Sequence, residues 1–170
     1  MTLLRSSHDP DPDPDEGLQT FTYSLLPHAG DWRTGRSEQA GLALNIPLHA
    51  VAAAAHTGGR PAPSLSLSGG PNLVAGALKH CEDGPGYVLR LFETQGHRAA
   101  AHLSFSVPVH VQETDLLERP VHKRVLAMSA GGRVVSFPVG HDQIVTLRIT
   151  GLPDAGIVPL APAPRTAHLP

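Results

Sequence analysis

Carboxylates and histidines are the side chains of this 170-residue chain best suited to chemistry, with Asp+Glu at 15 and His at 11. Hydrolysis of a glycosidic bond needs two carboxyl groups, one as acid and the other as base or nucleophile. The candidates are Glu82 with Asp83, Glu93, and the run Glu113, Asp115 and Glu118. Their positions argue for ordinary roles: Glu82 and Asp83 flank a turn, and Asp115 and Glu118 end a strand. Asp9, Asp11 and Asp13 have the alternate spacing of a calcium loop. The glycine and glutamate such a loop requires are replaced by Pro14 and Thr20. His102 and His110 lie eight apart and His80 adjoins Cys81, which matches no zinc spacing. Nucleophile elbows, Walker loops and dinucleotide fingerprints are absent. Two further side chains are candidates for contact rather than catalysis. Trp32, the single tryptophan, can stack on a sugar or, more commonly, cap a sandwich core. Arg90 shares a strand face with Val88 and Phe92. It can bridge to another domain or lie along a sheet with its head in solvent.

Elements must position these groups, and the composition permits a core. Hydrophobic residues make up 41% and charged residues 16%, a globular balance, and a chain of this length buries roughly 70% of its unfolded surface. The formal charge of −2 offers no field to collect nucleic acid or an anionic membrane, so neither is expected as a partner. Protonation of the histidines near pH 6 would turn the chain positive. One cysteine, Cys81, excludes an internal disulfide and reads as a small core residue. Met1 to Asp15 carry no apolar signal region, and the Ala-rich stretch at Val51–Ala55 is too short to span a bilayer. A cytoplasmic protein is expected.

Period-two patterning dominates the middle of the chain. Phe21, Tyr23 and Leu25 alternate with Thr and Ser. So do Leu65 and Leu67; Leu103, Phe105 and Val107; Val135, Phe137 and Val139; and Val145, Leu147 and Ile149 with their own polar neighbours. Such alternation puts one row into a core and the other into water. Leu73–Cys81, Tyr87–Glu93 and His110–Leu116 are further strands. Asp83-Gly84-Pro85-Gly86 suits a hairpin loop, and Gln95-Gly96 and Gly131-Gly132 punctuate in the same way. The chain therefore predicts an all-β, antiparallel β-sandwich with at most one short helix, near Arg33–Leu44. The Asp/Pro-rich start, residues 1–18, predicts a disordered linker, and the Pro/Ala-rich stretch 151–170 a tail without regular structure.

Several segments together resemble a known family. Phe21-Thr22-Tyr23-Ser24-Leu25-Leu26-Pro27-His28 with Gly30-Asp31-Trp32 is similar to the opening of the final β domain of family 38 glycoside hydrolases, the α-mannosidases. Leu44-Asn45-Ile46-Pro47-Leu48, the run from Asn72 to Lys79, the acidic-glycine turn leading into Arg90-Leu91-Phe92-Glu93, and Asp115-Leu116-Leu117-Glu118 follow in the family's order. The resemblance covers roughly residues 19–150. It implies a sandwich of galactose-mutarotase-like, mannosidase C-terminal type, in an enzyme whose barrel holds the zinc ligands and catalytic aspartates. No barrel is present, so no catalytic or metal residue carries over and zinc belongs to the absent domain. His28, Asp31, Trp32 and Arg90 become candidates for a substrate cleft or a domain interface. The implied function is a noncatalytic domain that packs on an α-mannosidase barrel and contributes to glycan binding. Expected partners are that barrel or a second copy, with α-mannosides as a further ligand. A free-standing carbohydrate-binding module and a homo-oligomeric structural protein are the alternatives. The start at Met1 with a Pro-Asp run suggests an excised domain, a truncated product or half of a split enzyme.

Overall fold

The computed structural model describes residues 2–4, 9, 12–13, 16–46, 65–121 and 124–153. The tail beyond Pro153, the stretch 47–64 and most of the Asp/Pro run, Asp11 included, lie outside them. The chain divides into two units, Met1–Ala54 and Ala55–Pro170.

The second unit is a sandwich of two four-stranded antiparallel sheets. Sheet one has the order β1 (Leu65–Ser68), β4 (Ala99–Phe105), β7 (Val134–Val139), β6 (Ala127–Ser129). Sheet two has the order β2 (Leu73–His80), β3 (Tyr87–Glu93), β8 (Ile144–Thr150), β5 (His110–Thr114). The inward rows are those the alternation selects. Ala101, Leu103 and Phe105 join Val135, Phe137 and Val139 from sheet one. Leu89 and Leu91 with Val145, Leu147 and Ile149 face them from sheet two. Leu89, Leu91, Leu103 and Leu147 are fully buried, each contributing about 1.5–3 kcal/mol by leaving water.

Turn chemistry explains the hairpins. Gly86 closes the β2–β3 turn at φ +108°, and a Cβ there would stand 2.5 Å from the Ile149 carbonyl oxygen. Gly86→Ala is therefore expected to cost about 2 kcal/mol, read as a lower urea midpoint at an unchanged slope. Gly131-Gly132 turns β6 into β7 as expected. Gln95-Gly96 does not make a hairpin, because the chain leaves β3 in sheet two and enters β4 in sheet one. In β2 a bulge between Ala75 and Ala77 places Gly76 under the Phe92 ring, which a Cβ would meet at 2.8 Å.

The first unit departs from the expected pattern. Phe21–Leu25 is not a strand: residues 18–28 are irregular, and Phe21, Tyr23 and Leu25 are 43%, 62% and 90% exposed. Alternation prepares a strand, but pairing with a neighbour makes one, and no strand is described in this unit. The expected helix is present as α1, Ser37–Asn45, with none of its residues buried. Its sequence supplies Ala and Leu with Glu38 in the first turn, and Asn45 closes it by donating to the Gly41 carbonyl at 2.8 Å.

Candidate functional site

Three of the four contact candidates share one loop of the first unit. Asp31 organises it: Oδ1 accepts the N–H groups of Arg33 at 3.1 Å and Thr34 at 2.9 Å, and the Thr34 hydroxyl at 3.1 Å. The Thr34 bonds are the main cause holding the Asp31 carboxyl below the usual aspartate range. His28 lies against Gly35, and its Nε2 is 3.4 Å from the Ser37 hydroxyl. Trp32 is 41% exposed and does not belong to the buried core, so it is not the core cap a lone tryptophan more commonly makes. The Arg33 guanidinium lies 4.3 Å from the Trp32 ring centroid, which occupies one of the two faces a sugar could stack on. All three side chains are thus on one exposed, locally fastened loop.

Arg90 belongs to the second unit, on the outer face of sheet two. Register sets it in a row with Ala77, Thr146 and Thr114. Its Nη2 donates to the Leu116 carbonyl at 2.8 Å, while Nε is buried without a hydrogen bond. Arg90 therefore clamps the loop after β5 onto the sheet. Glu118, at φ +64°, completes that loop. Its Oε1 meets Lys79 Nζ at 2.6 Å and its Oε2 accepts the Glu82 N–H at 2.8 Å. The Lys79 bond is the main cause that depresses the Glu118 carboxyl. Lys79 also pairs with Glu82 at 2.5 Å. Asp115 Oδ1 accepts the N–H groups of Leu117 and Arg119 at 2.9 Å each.

Two further carboxylates are engaged on the sandwich. Glu93 accepts four hydrogen bonds at one end of sheet two, and Glu113 is paired with Arg124 at 2.7 Å. Of the acids singled out by sequence as possible hydrolytic pairs, Glu82, Glu93, Glu113, Asp115 and Glu118 thus fasten turns or close the sandwich edge, while Asp83 takes part through its backbone carbonyl, which accepts from Arg148. Among the described residues no three His, Cys, Asp or Glu side chains gather as a metal site. No helix of the described residues is long and apolar enough to cross a membrane. Sequence reasoning missed Arg124 altogether, since an isolated arginine before a three-residue strand carries no local signal.

The other feature of sheet two is apolar. Val74, Phe92 and Ile144 form one outward row, and Ile144 is 58% exposed. Leu116 and Leu117, in the loop that Arg90 clamps, are also exposed. The outer face of sheet one is more polar: the row Ser66, Ser104, Val134, Ser129 lies beside His102, whose Nδ1 is 2.8 Å from the Ser136 hydroxyl.

Two antiparallel sheets over a Leu/Val core, with their acids spent on structure, define a β-sandwich domain. Residues 72–147 match the glycosyl hydrolases family 38 C-terminal beta sandwich domain, and that stretch of the chain is such a domain. The chain is 38% identical over 130 residues to Alpha-mannosidase 2C1 of Homo sapiens, covering 71% of this chain and 12% of the relative. It is 34% identical over 127 residues to the Mus musculus protein of the same name, covering 70% of this chain and 12% of the relative. Alpha-mannosidase G of Dictyostelium discoideum is 26% identical over 113 residues, 63% of this chain and 10% of its own length. The chain thus spans about an eighth of the human and mouse relatives it matches.

Proposed function

We propose that this chain serves an α-mannosidase as its noncatalytic C-terminal β-sandwich domain, docking on a catalytic domain that hydrolyses terminal α-mannosides. The observation that carries this reading is the asymmetry of the sandwich's two outer faces. One end of sheet two presents Val74, Phe92 and Ile144 with Leu116 and Leu117, away from its row of Lys79, Arg148 and Gln112, whereas sheet one presents Ser66, Ser104 and Ser129 around a single Val134. An apolar patch on one face with none facing it on the other is what a domain that buries one side against a neighbour requires. The first unit, taken by itself, also exposes apolar side chains, Phe21, Tyr23, Leu25 and Trp32 among them. The relatives' length supplies room for such a neighbour.

Zinc, in this reading, is held by the catalytic domain, as are the catalytic aspartates. His28, Asp31, Trp32 and Arg90 act by contact or by positioning loops, and His28, Asp31 and Trp32 are free to approach a neighbour together. A dedicated glycan platform on the sandwich is disfavoured, because Tyr87, Phe105 and Phe137 are buried and Phe92 is half-buried over Gly76. The half-buried free thiol of Cys81 suits a reducing, cytoplasmic setting.

Reconstitution tests the reading. An α-mannosidase truncated before its family 38 C-terminal sandwich is mixed with this chain, and aryl α-mannoside hydrolysis and complex mass are followed together. Association is expected, with activity raised over the truncated enzyme and none from the chain alone. Ile144→Asp, at an exposed position, is expected to weaken association at least about tenfold by burying a charge in the apolar contact. Failure to associate, or hydrolysis by the pure chain, overturns it.

A further inference from the structure

The end of β5, the start of β8 and Arg124 enclose a hollow of about 420 Å³. Its inner wall is polar: Glu113 and Thr114 are 5% and 4% exposed. Its rim is apolar, formed by Leu116, Leu117 and Ile144 at 57%, 69% and 58% exposure. Rim and docking face are continuous, since Ile144 belongs to both.

The charges lining the hollow do not balance. Glu113 and Asp115 bring two carboxylates and Arg124 one guanidinium, leaving one negative charge. Arg124 Nε takes Glu113 Oε1 at 2.7 Å, and its Nη1 is spent on the Pro138 carbonyl at 2.8 Å. Glu113 Oε2 and the Thr114 hydroxyl are buried with no hydrogen-bond partner. A buried carboxylate oxygen in that condition gains from any donor that reaches it, and most from a charged one.

We propose that this hollow is a socket for a basic side chain, arginine or lysine, carried by the protein that docks on sheet two. The proposal rests on the docking reading above and adds the chemistry of the partner. Such a side chain is amphipathic in the same order as the hollow: its methylene stem lies against Leu116, Leu117 and Ile144, and its head reaches Glu113 and Asp115. An anionic guest would face both carboxylates. A sugar would find no aromatic face along the rim. A central pocket ringed by apolar contacts is also where binding energy concentrates in protein interfaces.

The hollow can be tested in the full chain without a partner. The ¹⁵N-labelled protein is titrated with N-acetyl-arginine amide, with its neutral analogue N-acetyl-citrulline amide, and with methyl α-mannoside. Saturable shifts are expected at the amides of Thr114, Asp115, Leu117 and Gln143 with the arginine compound, and at least about tenfold weaker binding of the citrulline compound. Leu117→Ser, at an exposed side chain, is expected to weaken the arginine compound about threefold without altering the fold. No saturable shift at those amides up to the solubility limit, an equal response to citrulline, or saturation by the mannoside instead would each overturn the socket. A silent hollow alongside successful reconstitution removes the socket alone. A responsive hollow alongside failed reconstitution removes the docking reading.

Discussion

Arg124→Ala is expected to destabilise the sandwich by about 3–5 kcal/mol, the range for removing one partner of a buried ion pair. Arg124 and Glu113 have side chains only 7% and 6% exposed, with Nε to Oε1 at 2.7 Å. Alanine would leave Glu113 charged and unpartnered behind β5, where neither oxygen would have a donor. It would also release the Pro138 carbonyl in β7, which Arg124 Nη1 holds, and the guanidinium's approach to the Phe137 ring at 5.9 Å. One side chain thus ties the edge of sheet two to the middle of sheet one. Replacing both partners, Arg124→Met with Glu113→Leu, should recover most of the loss, because the stranded charge then disappears. Urea unfolding of the two single variants and the double variant separates these terms. A single-variant loss below about 1 kcal/mol would mean the pair is solvated and does not hold the edge.

Sequence patterning foretells most of the sandwich for a physical reason. Rows such as Leu103–Phe105 and Val145–Leu147–Ile149 alternate because each strand has one face in the core, and the core lies where that parity places it. Patterning fails where structure depends on a neighbour. Phe21–Leu25 alternates as well as any strand in the chain, yet it stays irregular because nothing described pairs with it. Ala127–Ser129 is a strand without alternation, three exposed residues paired to β7 alone. Gln95-Gly96 bends the chain, but a bend does not specify which sheet the next strand enters. Of the candidate contacts, Asp31, Trp32 and His28 gather on one loop because they are close in sequence. The clamp that Arg90 makes on Leu116 spans twenty-six residues and carries no local signal. The acids were visible as acids, and their partners were not.

Glu93 shows what those hidden partners are worth. It ends β3 at 4% exposure, where burial alone would raise its carboxyl. Four donors oppose burial: Oε1 accepts Asn72 Nδ2 and the Gln95 N–H at 2.8 Å each, and Oε2 accepts the N–H groups of Gly96 at 2.9 Å and Asp142 at 2.8 Å. The result is a carboxyl lowered to about 2 from an ordinary 4.5. Three chain segments, before β2, after β3 and before β8, are therefore fastened to one anion. Glu93→Ala strands all four donors and is expected to cost about 3–4 kcal/mol at neutral pH. Glu93→Gln keeps one oxygen but turns an amide NH₂ towards N–H groups, for a loss of about 2 kcal/mol. Because the folded value lies below the unfolded one, the stabilisation is complete above about pH 4.5 and disappears as the pH falls towards 2. Below that window the native and unfolded states bind the same proton, so the native protein and Glu93→Gln should converge in stability as acid is added. Urea midpoints at pH 7 and pH 3 are the measurement. A gap between the two proteins that narrows at pH 3 identifies Glu93 as an acid-labile staple, whereas a constant gap would mean its hydrogen bonds survive protonation and the anion is not what holds the three segments.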